Sequence, residues 1–303
     1  MSDFEIGGVF CAATTAITTD GRPDFRLFID HCRKLLEEGC HGIALLGTTG
    51  EANSFGLKDR MEILDRAIAG GIRAEQLLPG TAQSAVADTI ELTRHAVRAG
   101  VRGVVMLPPF YYKGVSPEGI YRAYARIIDG VGDDRLRVVL YHIPQVSGVA
   151  IPHEVIGRLR ENFPGIVVGI KDSSGDLENM KAMVKAFPGF GVLAGADPLL
   201  LPLLQAGGAG CITASSNLVA GDLRLVFDEW NVASKETEVK AAQERIVAWR
   251  ELTNAYVQLP TVKAMVARRR GDDGWLRVNP PLVELTDAER ESVWARMAQL
   301  EEA

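Results

Sequence analysis

The stretch Gly165-Ile166-Val167-Val168-Gly169-Ile170-Lys171 is a short apolar run that ends in a basic residue. A similar run, Arg137-Val138-Val139-Leu140, ends in Tyr141, 30 residues before Lys171. That spacing is about one strand-plus-helix unit, so the two runs read as successive parallel strands joined by a crossover helix. Successive strands of such folds usually lie side by side. An amine and a phenol then project from neighbouring strand ends, where α/β proteins keep their chemistry.

Outward from this pair, short apolar runs alternate with helical patterns eight times. The runs are residues 8–14, 42–47, 77–81, 103–107, 138–141, 166–171, 191–194 and 209–213. Amphipathic segments such as 24–38, 58–69, 86–99 and 117–129 lie between them, and several end in Gly where a strand should follow, as in Glu38-Gly39-Cys40 and Ala99-Gly100-Val101. Eight such units predict a (β/α)8 (TIM) barrel of the α/β class. The competing doubly wound sheet needs a glycine-rich phosphate turn after its first strand, and residues 14–21 contain none. From Asp222 onward the strand signals stop. Segments 222–233, 236–256, 261–270 and 287–301 read as helices, so a barrel over residues 1–221 with a helical appendage over 222–303 is expected.

Composition narrows the function. The chain has 303 residues, of which 47% are hydrophobic, enough to fill a large core. A net charge of -6 speaks against nucleic acid and anionic membrane as partners. The one dense basic cluster, Arg268-Arg269-Arg270, reads as a helix C-terminal turn that suits the helix dipole. No apolar run is long enough to span a bilayer, and the N-terminus carries Asp3 and Glu5 rather than a basic start. Cys11, Cys32, Cys40 and Cys211 lack CxxC spacing and read as reduced, buried thiols of a cytoplasmic protein. The five histidines show no metal-ligand spacing, so neither a metal nor another cofactor is expected.

A lone Lys after a strand is ordinarily a solvated loop residue, and a lone Tyr there ordinarily packs. The other strand ends raise both above that reading. Strand two ends in Gly47-Thr48-Thr49-Gly50-Glu51, whose paired hydroxyls and backbone amides suit a small carboxylate. Strand four ends in Pro108-Pro109-Phe110-Tyr111-Tyr112, strand seven in Gly195-Ala196-Asp197, and strand eight in Ile212-Thr213-Ala214-Ser215. Gly47, Thr48, Thr49, Gly195 and Ile212 are the candidate substrate-binding positions. The glycines of Gly207-Gly208-Ala209-Gly210 precede strand eight and lie at the wrong end of a barrel to hold a phosphate. An amine with apolar walls tends toward its neutral, nucleophilic form, and a neighbouring phenol can carry protons.

Taken together, Gly47–Glu51, Tyr141-His142-Ile143-Pro144, Ile170-Lys171-Asp172 and Leu259-Pro260-Thr261-Val262-Lys263 resemble the dihydrodipicolinate synthase/N-acetylneuraminate lyase family of class I, Schiff-base-forming lyases. The resemblance implies an imine between Lys171 and a 2-oxo acid, pyruvate or a larger sugar-derived acid, that an aldehyde or sugar acid partners. It implies Tyr141 as proton relay, Thr48 and Thr49 at the substrate carboxylate or in the relay, and Tyr111 completing the relay from a neighbouring subunit of a homotetramer built as a dimer of dimers. One extra residue in that loop leaves Tyr111 and Tyr112 as rivals, with Tyr111 preferred. Two departures bear on the substrate. Gln145-Val146 stands where the lysine-pathway synthases place a carboxylate-binding Arg, with Lys113 as a conceivable replacement, and Pro198 replaces the Glu that sialic acid lyases carry beside Asp197. The implied substrates are therefore 2-keto-3-deoxy sugar acids or 4-hydroxy-2-oxo acids. The lysine-pathway enzyme, 4-hydroxy-tetrahydrodipicolinate synthase, is the alternative, and a non-catalytic 2-oxo-acid-binding regulatory protein is the rival of another class.

Overall fold

A computed structural model describes residues 6–302, so Asp3 and Glu5 lie outside the described residues. In chain order the elements are β1 (Gly8–Cys11), α1 (Phe25–Glu37), β2 (Gly42–Ile43), α2 (Leu57–Ala69), α3 (Val86–Arg98), β3 (Val104–Met106), α4 (Pro117–Val131) and β4 (Val138–His142). There follow α5 (Pro144–Ser147), α6 (His153–Asn162), β5 (Val167–Asp172), α7 (Leu177–Ala186), β6 (Gly191–Ala194), α8 (Leu200–Gln205) and β7 (Gly210–Thr213). The chain ends in α9 (Ser216–Glu229), α10 (Glu236–Thr253), α11 (Gln258–Arg270) and α12 (Asp287–Glu302). Among the described residues the strands form one parallel sheet in the order β2-β1-β7-β6-β5-β4-β3.

Seven strands stand where the sequence predicts eight. The difference is residues 77–81, which pair only through isolated parallel bridges, Ile43 to Leu77 on one side and Gly80 to Val105 on the other. Pro79 is the physical reason: it has no amide hydrogen, so a continuous ladder is interrupted at its position. The remaining backbone groups of the segment still bond to both edges of the sheet. Leu78 N donates to Ile43 O at 2.9 Å, Gly80 N to Leu45 O at 2.8 Å, and Val105 N to Pro79 O at 2.9 Å.

Strand side chains alternate between two layers, as the pleat requires. Val9, Cys11, Val104, Met106, Val138, Leu140, Ile170, Val192 and Cys211 face the helices in the larger core. Phe10, Val105, Val139, Tyr141, Leu193 and Ile212 form the smaller core on the other face. Lys171 follows Ile170 and so turns toward the face that holds Tyr141. The four cysteines are buried and unpaired, and burial pushes the Cys32 and Cys11 thiols up. No helix is long and apolar enough to cross a membrane.

Helix α9 begins at Ser216, earlier than the expected 222, so the expected division at 221/222 falls inside it. It bends at Val219 and packs on β1 and β7 as well as on α10. From α11, Lys263 reaches back to Glu51 in the loop after β2. Both side chains are fully buried and form an ion pair. Lys263 Nζ also donates to Arg277 O at 2.7 Å, and Glu51 accepts from Asn279 N at 2.9 Å. Burial holds the Lys263 ammonium below its usual range, opposed by the Glu51 charge. Removing one partner leaves a buried charge uncompensated. Lys263→Met is therefore expected to cost ~3–5 kcal/mol of stability, read from the denaturant midpoint. A loss below ~1 kcal/mol would show that the pair does not fasten the C-terminal helices to the strand-two loop.

Candidate active site

The β4–β5 ladder sets Tyr141 opposite Lys171 and His142 opposite Asp172. Because paired residues of a parallel ladder share a face, the phenol and the amine meet on the inner face. Lys171 Nζ lies 4.2 Å from the centroid of the Tyr141 ring, and both side chains are about 95% buried, with exposures of 5% and 4%. Thr48 Oγ1 stands 3.4 Å from the Tyr141 hydroxyl. Burial pushes the Tyr141 phenol up. The Lys171 charge and the contacts with Thr48, Ser173 and Lys171 outweigh it and hold the phenol below its ordinary value near 10.

These groups line one cavity of about 200 Å3, together with Thr49, Ile143, Gln145, Val146, Ser173, Gly195, Ala196, Ala214, Arg250, Asn254 and Gln258. Gly195 has a steric reason for lacking a side chain. A Cβ there would lie 1.9 Å from Ser173 Oγ and 2.9 Å from the Asp172 carbonyl oxygen. The Gly195 amide donates to that carbonyl at 2.7 Å, so the two strand ends approach each other backbone to backbone.

Of the expected site residues, Lys171, Tyr141, Thr48, Thr49 and Gly195 come together around this cavity. Gly47 lines a smaller neighbouring cavity that also touches Thr48 and Tyr141. Ile212 is fully buried in the inner core below and does not line the cavity. Tyr111 is 72% exposed and stacks edge-on with Tyr112 at 5.3 Å, outside the cavity of its own chain. Lys113 is committed to the carbonyls of Phe110 and Ser147.

Several residues of the wall escape the strand-end reading. Ser173 is one, although it lies only two positions past Lys171. Arg250, Asn254 and Gln258 come from α10, the turn after it and the start of α11. Their only signal in the sequence is polar spacing by four, which by itself describes a solvated helix face. Below them Asp197 is fully buried. It accepts from Ser215 Oγ at 3.0 Å and lies 3.8 Å from Arg250 Nε. Burial pushes the Asp197 carboxyl up, against the Arg250 charge.

The parallel sheet thus carries an amine, a phenol and two threonines at its strand ends, around one cavity. A model described as the dihydrodipicolinate synthetase family matches residues 5–300, and the chain belongs to that family. An uncharacterized DapA-like lyase of Chloroflexus aurantiacus is 37% identical over 85% of this chain and 85% of its own length. The 4-hydroxy-tetrahydrodipicolinate synthase of Bacillus subtilis is 29% identical over 97% of this chain and 99% of its own. Among solved structures, dihydrodipicolinate synthase from Agrobacterium tumefaciens superposes with a TM-score of 0.89 at 30% identity, covering 97% of this chain and 99% of that one. A prophage protein of the same family from E. coli K12, solved in complex with pyruvate, gives 0.90 at 25% identity and covers 98% and 99%.

Two outcomes test this geometry. A phenol is protonated below its pKa, so a step that uses Tyr141 as an acid is lost as pH rises through that value. The alkaline limb of kcat/KM should fall below pH 10 and vanish in Tyr141→Phe. A limb at or above 10 would contradict the depressed phenol. Gly195→Ala forces a contact that rotating Ser173 relieves only in part, because the Asp172 carbonyl is backbone. It should cost ~1–3 kcal/mol of stability in a denaturant titration, and a neutral effect would mean the two strand ends are not in contact.

Proposed function

We propose that the protein is a class I lyase or aldolase that forms an imine between Lys171 and pyruvate or a larger 2-oxo acid. The observation that carries this reading is the cross-strand pair itself: a buried amine 4.2 Å from a buried phenol ring, both facing one cavity. Lys171 attacks C2 of the 2-oxo acid. Loss of water gives the iminium, which draws electrons from C3. Cleavage of the C3–C4 bond or loss of a C3 proton then becomes accessible, and the reverse steps give condensation. Tyr141 carries protons to and from the carbinolamine through Thr48, and Thr48 and Thr49 hold the substrate carboxylate.

The substrates that fit the reading are 2-keto-3-deoxy sugar acids or 4-hydroxy-2-oxo acids. The lysine-pathway reaction is the second reading, supported by the Bacillus subtilis relative. A non-catalytic binder gives no role to a buried amine set beside a phenol whose proton is already loosened. The fold that serves this chemistry is read as a (β/α)8 barrel closed through residues 77–81. The helical appendage is residues 222–303, whose start falls within α9. Tyr111, exposed in its own chain, would complete the relay in a neighbouring subunit of a tetramer made of two dimers.

Incubation with pyruvate and borohydride should add one reduced pyruvate to the peptide that contains Lys171 and abolish turnover. Labelling of another residue, or none with any 2-oxo acid, would overturn the proposal. Lys171→Ala should lose all turnover, whereas Tyr141→Phe should still trap pyruvate but turn over on the order of a hundredfold more slowly. For the assembly, light scattering should give a tetramer. A fully active monomer would confine the relay to one chain.

A further inference from the structure

We propose that Arg250, with Asn254 and Gln258, forms a subsite for a second anionic group at the far end of the substrate, so that the enzyme selects 2-oxo dicarboxylic acids. The inference rests on the imine reading above, because Lys171 fixes the near end of the ligand. Arg250 and Lys171 are the cations among the residues that line the cavity. Lys171 serves the 2-oxo group, and the Thr48 and Thr49 hydroxyls serve the adjacent carboxylate, which leaves the guanidinium without a task in the chemistry.

Its neighbours hold it from the buried side. Arg250 Nε pairs with the fully buried Asp197 carboxylate at 3.8 Å, beyond hydrogen-bond distance, and Asp197 also accepts from Ser215. With its amide turned to accept, Gln258 Oε1 takes hydrogen bonds from both Arg250 Nη1 and Nη2, at 2.5 and 3.2 Å. That carbonyl is a neutral acceptor that an anion can displace. Asp197 orients Arg250 from the buried side. The Arg250 side chain is 22% exposed and lines the cavity with the amides of Asn254 and Gln258. A planar donor fork flanked by amides fits a carboxylate in two-point contact. Gln145 and Val146 leave the α5 side of the cavity without a cation, and Lys113 is tied to backbone carbonyls. The charge needed for a diacid therefore enters from the C-terminal helices.

The test compares two 2-oxo acids of equal chain length, 2-oxoglutarate and 2-oxopentanoate, by the concentration at which each half-saturates borohydride trapping on Lys171. The wild-type protein should favour 2-oxoglutarate by roughly 10- to 100-fold, as expected for one charge-assisted pair. Arg250→Gln should erase that preference and Arg250→Lys should restore part of it. Because the ratio is taken within one protein sample, a general loss of folding or of imine formation cancels. Equal half-saturation in the wild type, or a preference that survives in Arg250→Gln, would overturn the subsite while leaving the imine reading intact. No trapping of either acid or of pyruvate would remove the imine reading, and the subsite with it.

Discussion

The structure depends on one register. Parallel pairing of β4 with β5 places Tyr141 directly across from Lys171. A shift of one residue would send the amine outward into the helix-facing core, because the side-chain period along a strand is two. The ladder carries one such shift, at its start, where Val138 pairs with Val167 and Val139 with Gly169; beyond it Leu140 and Ile170 are buried side by side in the helix-facing core, which keeps Tyr141 and Lys171 in step on the inner face. Close packing in the two apolar layers thus holds the amine and the phenol on one face.

A second constraint ties the C-terminal helices to the same site. The buried Glu51–Lys263 pair joins the loop after β2 to α11, with hydrogen bonds from Lys263 to the Arg277 carbonyl and from the Asn279 amide to Glu51. The loop that carries Thr48 and Thr49 is therefore held from below by a part of the chain more than 200 residues away. The same helices supply Arg250, Asn254 and Gln258 to the cavity wall. The strand ends provide the amine, the phenol and the hydroxyls, and the C-terminal helices provide the distal wall. On the proposed reading, the chemistry and the selection of its substrate come from different parts of the chain.

The sequence displays the strand-end half of this plainly. Lys171 and Tyr141 end apolar runs one strand-plus-helix unit apart, and the Gly-flanked Thr48-Thr49 pair ends another, so local patterning suffices to place them. Ile212 sits within β7 rather than past its end, and its side chain fills the inner core. The run at 77–81 reads as a strand because its apolar content is right, yet Pro79 withholds the donor that a regular ladder needs. The early start of α9 is hidden because Ser216, Asn217 and Leu218 carry no decisive helix signal. Glu51–Lys263 and the Arg250 wall are long-range contacts between polar residues, and no local period encodes them.

The central claim is that Lys171 is the covalent anchor and that Thr48 and Thr49 hold the carboxylate beside it. A crystal soaked in pyruvate tests both at once. Electron density continuous from Lys171 Nζ to C2 of the ligand, with its carboxylate against the Thr48 and Thr49 hydroxyls and the Tyr141 hydroxyl within hydrogen-bond reach of the linkage, is the predicted result. Pyruvate bound without a covalent link, or linked with its carboxylate turned toward Arg250, would contradict it.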